Sequence, residues 1–111
     1  MADRSLYLVF SNPAEGREDD YNKWYDEVHI PEVLTLPGFV SAQRLTQQDS
    51  SSPIAPKQKY GVIYEIDGDP AEVNAKLNEA MGNGTLHMTD AVDPSSFQMA
   101  FWTPSDKVTG A

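Results

Sequence analysis

In the first half of the chain, an apolar segment of β-strand length is followed by an amphipathic pattern of helical period. The run LYLVF, Leu6–Phe10, is rich in β-forming residues and precedes Ser-Asn-Pro, so it predicts a strand. From about residue 16 the apolar positions recur at helical spacing, at Tyr21, at Trp24 or Tyr25, and at Val28. Acidic residues in the first turn complement the positive end of the helix dipole, which favours a helix start there.

A proline and a glycine then end the helix and introduce a second strand. The segment Leu36-Pro37-Gly38 stops the helical pattern, and FVSAQRLT, Phe39–Thr46, is predicted to be extended. The polar stretch QQDSSSPIAPK that follows, residues 47–57, is predicted to be an exposed loop.

The second half of the chain repeats the same order of elements. KYGVIYEID, Lys59–Asp67, predicts a third strand with alternating apolar residues. Asp69 as N-cap and Pro70 in the first helical position mark the start of a helix that we expect Gly82 to end. After an irregular stretch, SFQMAFW, Ser96–Trp102, predicts the last strand.

The order β-α-β-β-α-β predicts an α+β, ferredoxin-like fold with a four-stranded antiparallel sheet, in a single domain over residues 1–111. The first and last strands are apolar at both parities, so both faces of the sheet need a cover. Helices supply one cover. We expect the sheet of a second copy to supply the other, in a homodimer with the two sheets face to face.

The composition excludes several classes of partner. The net charge of −9 argues against nucleic acid and against an anionic membrane surface, because both attract clustered lysine and arginine. No segment approaches the roughly 20 apolar residues of a membrane span, and the N-terminus lacks the apolar run of a signal peptide. The absence of cysteine excludes disulfides and thiolate metal sites. We therefore expect a cytoplasmic protein.

The segment WYDEVHIP, residues 24–31, contains the best candidate for chemistry. Pro31 has no N–H to donate to the carbonyl of Glu27, so the helix should kink or pause within one turn of His29. A kink opens the packing locally, which is where small pockets form. Tyr25 lies one turn before His29 on the same face. An imidazole suits proton transfer and a phenol can donate to an oxyanion, so His29 and Tyr25 are the candidate catalytic pair.

A purely structural interpretation of these residues remains open. A single helical histidine beside aromatic residues is common in cores and at capped surfaces, and Trp24 and Tyr21 suit core packing better than a site. Pro31 could simply end the helix.

Further candidates follow from residue type alone. Arg44 and Glu65 are charges on strands made largely of uncharged residues, and they are predicted to pair with each other, across the dimer or across the sheet, or one of them to anchor an anionic substrate. The histidines and carboxylates have no metal-ligand spacing, and no glycine-rich phosphate loop follows a strand, so neither a metal nor a cofactor is expected. The candidate substrate-binding residues are Trp24, Tyr60, Tyr64, His87, Phe97 and Trp102.

The first 45 residues or so resemble the dimeric α+β-barrel superfamily, most closely its EthD-like branch. The matching pattern is N-P-x-x-G-R-E, a helix with W-Y-D-x-V-H-x-P-x-V, then L-P-G-F and a strand with Q-R. The resemblance implies a homodimer whose sheets close into a barrel, and a pocket between sheet and helices in each subunit. It implies that His29 faces this pocket.

Our leading hypothesis from the sequence is a small cofactor-independent enzyme. It would bind a hydrophobic, aromatic or polyketide-like carbonyl compound, and His29 would transfer a proton in a lyase, isomerase or cyclase step. A cofactor-independent monooxygenase is the second enzyme hypothesis. The alternative from another class is a non-catalytic ligand-binding or stress-related dimer.

Overall fold

Two helical segments pack on one face of a four-stranded sheet. The computed structural model describes residues 4–48 and 51–110. The elements are β1 (Arg4–Ser11), α1 (Glu18–Trp24), a π-helical turn (Tyr25–His29), α2 (Ile30–Val33), β2 (Phe39–Thr46), β3 (Tyr60–Asp67), α3 (Pro70–Gly82), a 3-10 turn (Pro94–Ser96) and β4 (Gln98–Trp102).

The sheet has the strand order β2-β3-β1-β4, and all three neighbouring pairs are antiparallel. Each half of the chain contributes one strand-helix-strand unit, and the two central strands β3 and β1 come from different halves. The predicted α+β, ferredoxin-like architecture is confirmed.

Most predicted elements are found close to their predicted bounds. β2 matches its prediction, and α3 starts after Asp69, whose side chain accepts a hydrogen bond from the N–H of Ala71 at 3.0 Å. β4 is shorter than predicted because Ser96 belongs to the 3-10 turn. The predicted loop at 47–57 contains no helix or strand in its described part, and its residues 49 and 50 lie outside the described residues.

Alternation along the strands separates a helix-covered face from an open face. On β1, Tyr7 and Val9 are buried under the helices, whereas Leu6 and Leu8 point the other way and are only partly buried. On β4 the exposed Trp102 pairs with Leu6, so it also lies on the open face. The hydrophobic core therefore lies between the sheet and the helices, and much of the open face is apolar as the sequence predicted.

A β-bulge decides the face on which Arg44 lies. The register shifts between Phe39 and Ser41, so Arg44 pairs with Val62 and points toward the helices. Glu65 pairs with Ser41 and points to the open face. The predicted Arg44–Glu65 pair is therefore wrong, because the two side chains lie on opposite faces of the sheet. Glu65 pairs instead with Arg4 at 3.2 Å.

None of the helices in the described ranges is long and apolar enough to cross a membrane. The longest, α3, has 13 residues and many polar side chains. The cytoplasmic location stays a prediction.

Gly38 is a position at which we expect alanine to destabilise the fold strongly. Its φ is +91°, and an added Cβ would lie 2.5 Å from Cγ2 of Val73 and 3.1 Å from the carbonyl oxygen of Asp67. The backbone strain alone costs about 1–3 kcal/mol, and the contact with α3 adds to it. Gly16 is the matched control, because its φ is +75° but nothing lies within 4 Å of its added Cβ. Urea unfolding should give a larger loss for Gly38→Ala than for Gly16→Ala, and equal losses would contradict the predicted clash.

Candidate functional site

The helix does not break at Pro31 but widens just before it. The N–H of Ile30 donates to the carbonyl of Tyr25, five residues back, so the turn Tyr25–His29 is π-helical. The chain then continues into α2 with the proline inside its first turn. The predicted interruption next to His29 is thus present as a wider turn, which gives the proline ring room near the Glu27 carbonyl.

The wide turn brings Trp24 and His29 together. In a regular α-helix, residues five apart point about 140° away from each other. A π-helical turn has more residues per turn and so reduces this angle, and the two rings stack with centroids 4.3 Å apart and planes 18° apart. The ring of Tyr25 meets the imidazole edge-on at 5.4 Å, which confirms the predicted contact between these two neighbours.

The two nitrogens of His29 have different surroundings. Nδ1 is enclosed and has no hydrogen-bond partner among the described residues, whereas Nε2 is not enclosed in this way. A group that is to exchange a proton with a ligand must be reachable, so Nε2 is the nitrogen that can do so. No hydrogen bond from the described chain to Nδ1 fixes the tautomer.

Burial lowers the pKa of His29 from 6.5 to about 4, although the negative charge of Glu32 opposes the shift. The imidazole is therefore neutral near pH 7 and holds a free lone pair. This is the protonation state that a general base needs.

His29 lies in the wall of an apolar cavity of about 130 Å³ between the sheet and the helices. The cavity is lined on the sheet side by residues of all four strands, and on the other side by the interrupted helix (α1, the π-helical turn and α2), by α3 and by the segment at Met88. The lining residues are Tyr7, Val9, Trp24, Tyr25, His29, Val33, Phe39, Tyr64, Leu77, Met81, Met88, Phe97 and Met99.

Five of the eight sequence-predicted site residues line this cavity: Trp24, Tyr25, His29, Tyr64 and Phe97. Their shared location supports the predicted pocket between sheet and helices. Their roles in binding or chemistry stay predictions.

The other three predicted residues lie elsewhere, which corrects the expectation that they belong to the pocket. Tyr60 packs 5.3 Å from Tyr21 and donates its hydroxyl to Glu18, beyond the end of the cavity. Trp102 is on the open face of the sheet, because side chains alternate along β4 and its own points away from the helices. His87 is exposed, and its Nδ1 lies 2.5 Å from Glu32.

The backbone at His87 nevertheless helps to build the site. Its carbonyl accepts the indole N–H of Trp24 at 2.9 Å, and its N–H donates to Glu32 at 2.7 Å. The contact with His87 holds the pKa of Glu32 below its usual range. These contacts fasten the segment that carries the lining residue Met88 against the interrupted helix.

The hydroxyl of Tyr25 is directed away from the imidazole, into a polar cluster beside the cavity. It lies 3.3 Å from Oγ of Ser11, which also bonds the hydroxyl of Tyr21 at 2.6 Å. The guanidinium of Arg44 sits 5.0 Å from the centre of the Tyr25 ring and pairs with Asp26 at 3.2 Å. These contacts hold Tyr25 in place and engage its hydroxyl.

Sequence reasoning missed eight lining residues, among them Tyr7 and three methionines. Tyr7 has the parity of Val9 on β1, so the alternation could have placed both under the helices once the covered face was known. Met81, Met88 and Met99 come from three separate segments, and their sequence positions carried no signal.

Searches against known proteins give a clear result for the fold. Neither a protein-family model nor a curated protein sequence matches the chain. Two solved structures match almost over their full length. One is a protein named as a putative monooxygenase from Shewanella loihica PV-4, with TM-score 0.63, 11% identity, and coverage of 96% of this chain and 99% of that one. The other is an EthD family protein from Bacillus halodurans C-125, with TM-score 0.54, 16% identity, and coverage of 95% and 100%.

The chain shares its ferredoxin-like α+β fold with both of these structures. One of them is named as an EthD family protein, the branch that the sequence resembles. At identities of 11% and 16%, the likeness concerns the fold alone.

The burial of His29 predicts a pH dependence of stability. The folded protein takes up this proton near pH 4 and the unfolded chain near pH 6.5, so the unfolded state binds more protons between these values. The protonation of His29 should therefore lower the free energy of unfolding by up to ~3 kcal/mol as the pH drops from 6.5 to 4. Urea unfolding of the protein and of His29→Gln across this range measures the contribution. Parallel pH profiles for the two would contradict it.

Proposed function

We propose that the protein is a small cofactor-independent enzyme that transfers a proton on a hydrophobic carbonyl compound, with His29 as the base. The observation that carries the proposal is the placement of a neutral imidazole, with an unpaired Nδ1, in the wall of a mostly apolar cavity. A buried polar group without a partner costs stability, and such groups cluster at functional sites.

The size of the cavity favours a small substrate. An engineered apolar cavity of about 150 Å³ holds a benzene molecule. The volume of about 130 Å³ is slightly smaller and suits a single aromatic ring, so the short carbonyl substituent of an aryl methyl ketone would require a small movement of the lining side chains. A longer polyketide-like substrate would require the partly exposed Met81, Met88 and Met99 to move, which flexible thioether side chains can do at low cost.

The chemistry follows from the environment of His29. In the tautomer with its proton on Nδ1, the Nε2 lone pair takes a proton from the carbon next to the carbonyl, and the C–H electron pair forms a C=C bond as the carbonyl oxygen becomes an enolate. The imidazolium that results gains from the stacked Trp24 ring, from the charge of Glu32 and from the enolate itself. Return of the proton to the same or a neighbouring carbon completes an isomerase step, and attack of the enolate on a second carbonyl begins a cyclase step.

Deuterium exchange tests this proposal without knowledge of the natural substrate. In D₂O the methyl protons of acetophenone should exchange faster with the protein than in buffer, as measured by loss of the proton NMR signal. His29→Gln removes the base but keeps a side chain of similar size. The exchange rate should therefore fall at least 10-fold in this variant, while the ketone still binds.

His87→Gln is the matched control for this assay, because its side chain lies outside the cavity. It should keep most of the exchange rate. Equal rates for His29→Gln and the unaltered protein would overturn the assignment of His29 as the base.

A monooxygenase reaction is the second candidate. The first of the similar structures carries that name, and an enolate formed in an apolar cavity can reduce O₂ without a cofactor. Oxygen uptake that depends on both the ketone and His29 would favour it. Binding of the ketone without exchange or oxygen uptake would instead favour the non-catalytic ligand-binding alternative.

We also propose that two copies associate through their open sheet faces. Leu8 lies at the centre of this face between Ile63 and Ala100, and Trp102 remains 57% exposed. Exposed apolar patches of this kind mark interaction sites, and the parity of the strands makes the patch continuous.

Leu8→Glu should therefore convert a dimer into a monomer, because two carboxylates would meet near the centre of the interface. Light scattering should give twice the chain mass of 12.3 kDa for the unaltered protein and a single chain mass for the variant. Asn78→Glu adds the same charge on the exposed side of α3 and should remain dimeric. A monomer mass for the unaltered protein would contradict the proposal.

A further inference from the structure

Two tyrosines that line the cavity, Tyr7 and Tyr64, have hydroxyls that are less engaged within the protein than that of Tyr25. Tyr7 and Tyr64 are paired in register on β1 and β3, and both point to the helix-covered face and line the cavity. They lie on strands rather than in the WYDEVHIP segment. The proposed function has no role for them.

The hydroxyl of Tyr7 has a weak partner. It donates to the sulfur of Met99 at 3.0 Å, and Met99 is itself a half-exposed lining residue. A thioether is a poor acceptor compared with a carbonyl oxygen. A ligand oxygen that displaced the Met99 side chain would therefore gain a stronger hydrogen bond than the one that is lost.

The hydroxyl of Tyr64 has no hydrogen-bond partner within the described ranges, and its oxygen is not sealed off from the cavity. A buried phenol usually finds a partner, so a free one facing a cavity is unusual. Burial raises the pKa of both Tyr7 and Tyr64, which keeps both hydroxyls protonated as donors near neutral pH.

Ring contacts fix the position of both donors. The ring of Tyr7 stacks on Phe101 at 4.3 Å and lies 6.1 Å from that of Tyr64, which in turn meets Phe39 edge-on at 5.5 Å. Donors held in this way lose little conformational entropy when a ligand binds. Tyr25 differs, because Ser11 and the neighbouring Arg44 already engage it.

We infer that Tyr7 and Tyr64 form the polar end of the binding site and donate hydrogen bonds to the carbonyl oxygen of the ligand. The inference rests on the proposed function and names the ligand class more closely. It is a compound with one apolar ring and one uncharged oxygen acceptor at its sheet-side end, because the two phenols offer donors but no charge. If the ligand is enolised, the same two hydroxyls receive the enolate oxygen while His29 holds the proton from the carbon.

The test uses two probes of nearly the same shape, acetophenone and α-methylstyrene. The second replaces the carbonyl oxygen by a CH₂ group and cannot accept a hydrogen bond. The dissociation constants of both are measured by quenching of the tryptophan fluorescence or by ligand-observed NMR. The quantity of interest is their ratio, because a general loss of packing changes both constants together.

We expect Tyr7→Phe to weaken acetophenone about 3- to 10-fold relative to α-methylstyrene, which corresponds to the loss of one net hydrogen bond. Tyr64→Phe should act in the same direction. In the double variant, the ratio of the two dissociation constants should reflect only the difference in hydration between the two probes, with no contribution from the protein. Tyr21→Phe is the matched control, since it removes the hydroxyl of a buried tyrosine that does not line the cavity. It should leave the ratio unchanged.

A ratio unaffected by both Tyr7→Phe and Tyr64→Phe would overturn the inference, as would failure of the protein to bind either probe.

Different results would contradict the proposed function, so the two failures can be told apart. If His29→Gln leaves deuterium exchange intact while the tyrosine variants change the ratio, the base assignment is wrong and the donor pair stands. If His29→Gln stops exchange and the tyrosine variants leave the ratio unchanged, the base stands and the donors are wrong.

Discussion

Pro31 cannot donate a backbone hydrogen bond, and the shape of the site depends on how the helix accommodates it. The helix inserts one extra residue into the turn Tyr25–His29 and then continues. The wider turn places His29 over Trp24, where a regular helix would separate them. The histidine is thereby held inside the protein with an unpaired Nδ1, and burial keeps its imidazole neutral. A feature that is usually read as a helix breaker thus supplies the geometry of the candidate base.

The alternation of side chains along the strands decides which groups face the cavity. On β1 and β3, one set of alternate residues includes Tyr7 and Tyr64, which line the cavity, and the other set contributes to the open face of the sheet, much of which is apolar. The bulge in β2 makes one exception, because it turns Arg44 toward the helices. There Arg44 pairs with Asp26 and packs on the Tyr25 ring. The polar groups next to the cavity bond largely to one another, although Nε of Arg44 has no partner among the described residues, while Tyr7 and His29 on the cavity wall are more weakly engaged.

The sequence predicts the fold well because local signals agree with one another. The Asp69-Pro70 start of α3 and the bounds of β2 follow from capping and strand patterns. The site is predicted only in part. His29, Tyr25 and Trp24 lie close together in the sequence, so a local argument reaches them. Tyr7 and Met99 meet through strand pairing across the chain. The bulge between Phe39 and Ser41 has no local signal, so the face of the sheet on which Arg44 lies cannot be predicted from the sequence.

The titration of His29 tests the central claim most directly. The two imidazoles can be followed by long-range proton–nitrogen NMR from pH 4.5 to 8, with His29→Gln for assignment, in the presence and absence of acetophenone. We expect His29 to stay largely neutral down to about pH 5. We also expect its nitrogen signals to shift when the ketone is added. A midpoint near 6.5 together with no response to the ketone would contradict the claim that WYDEVHIP places a neutral base in a ligand cavity.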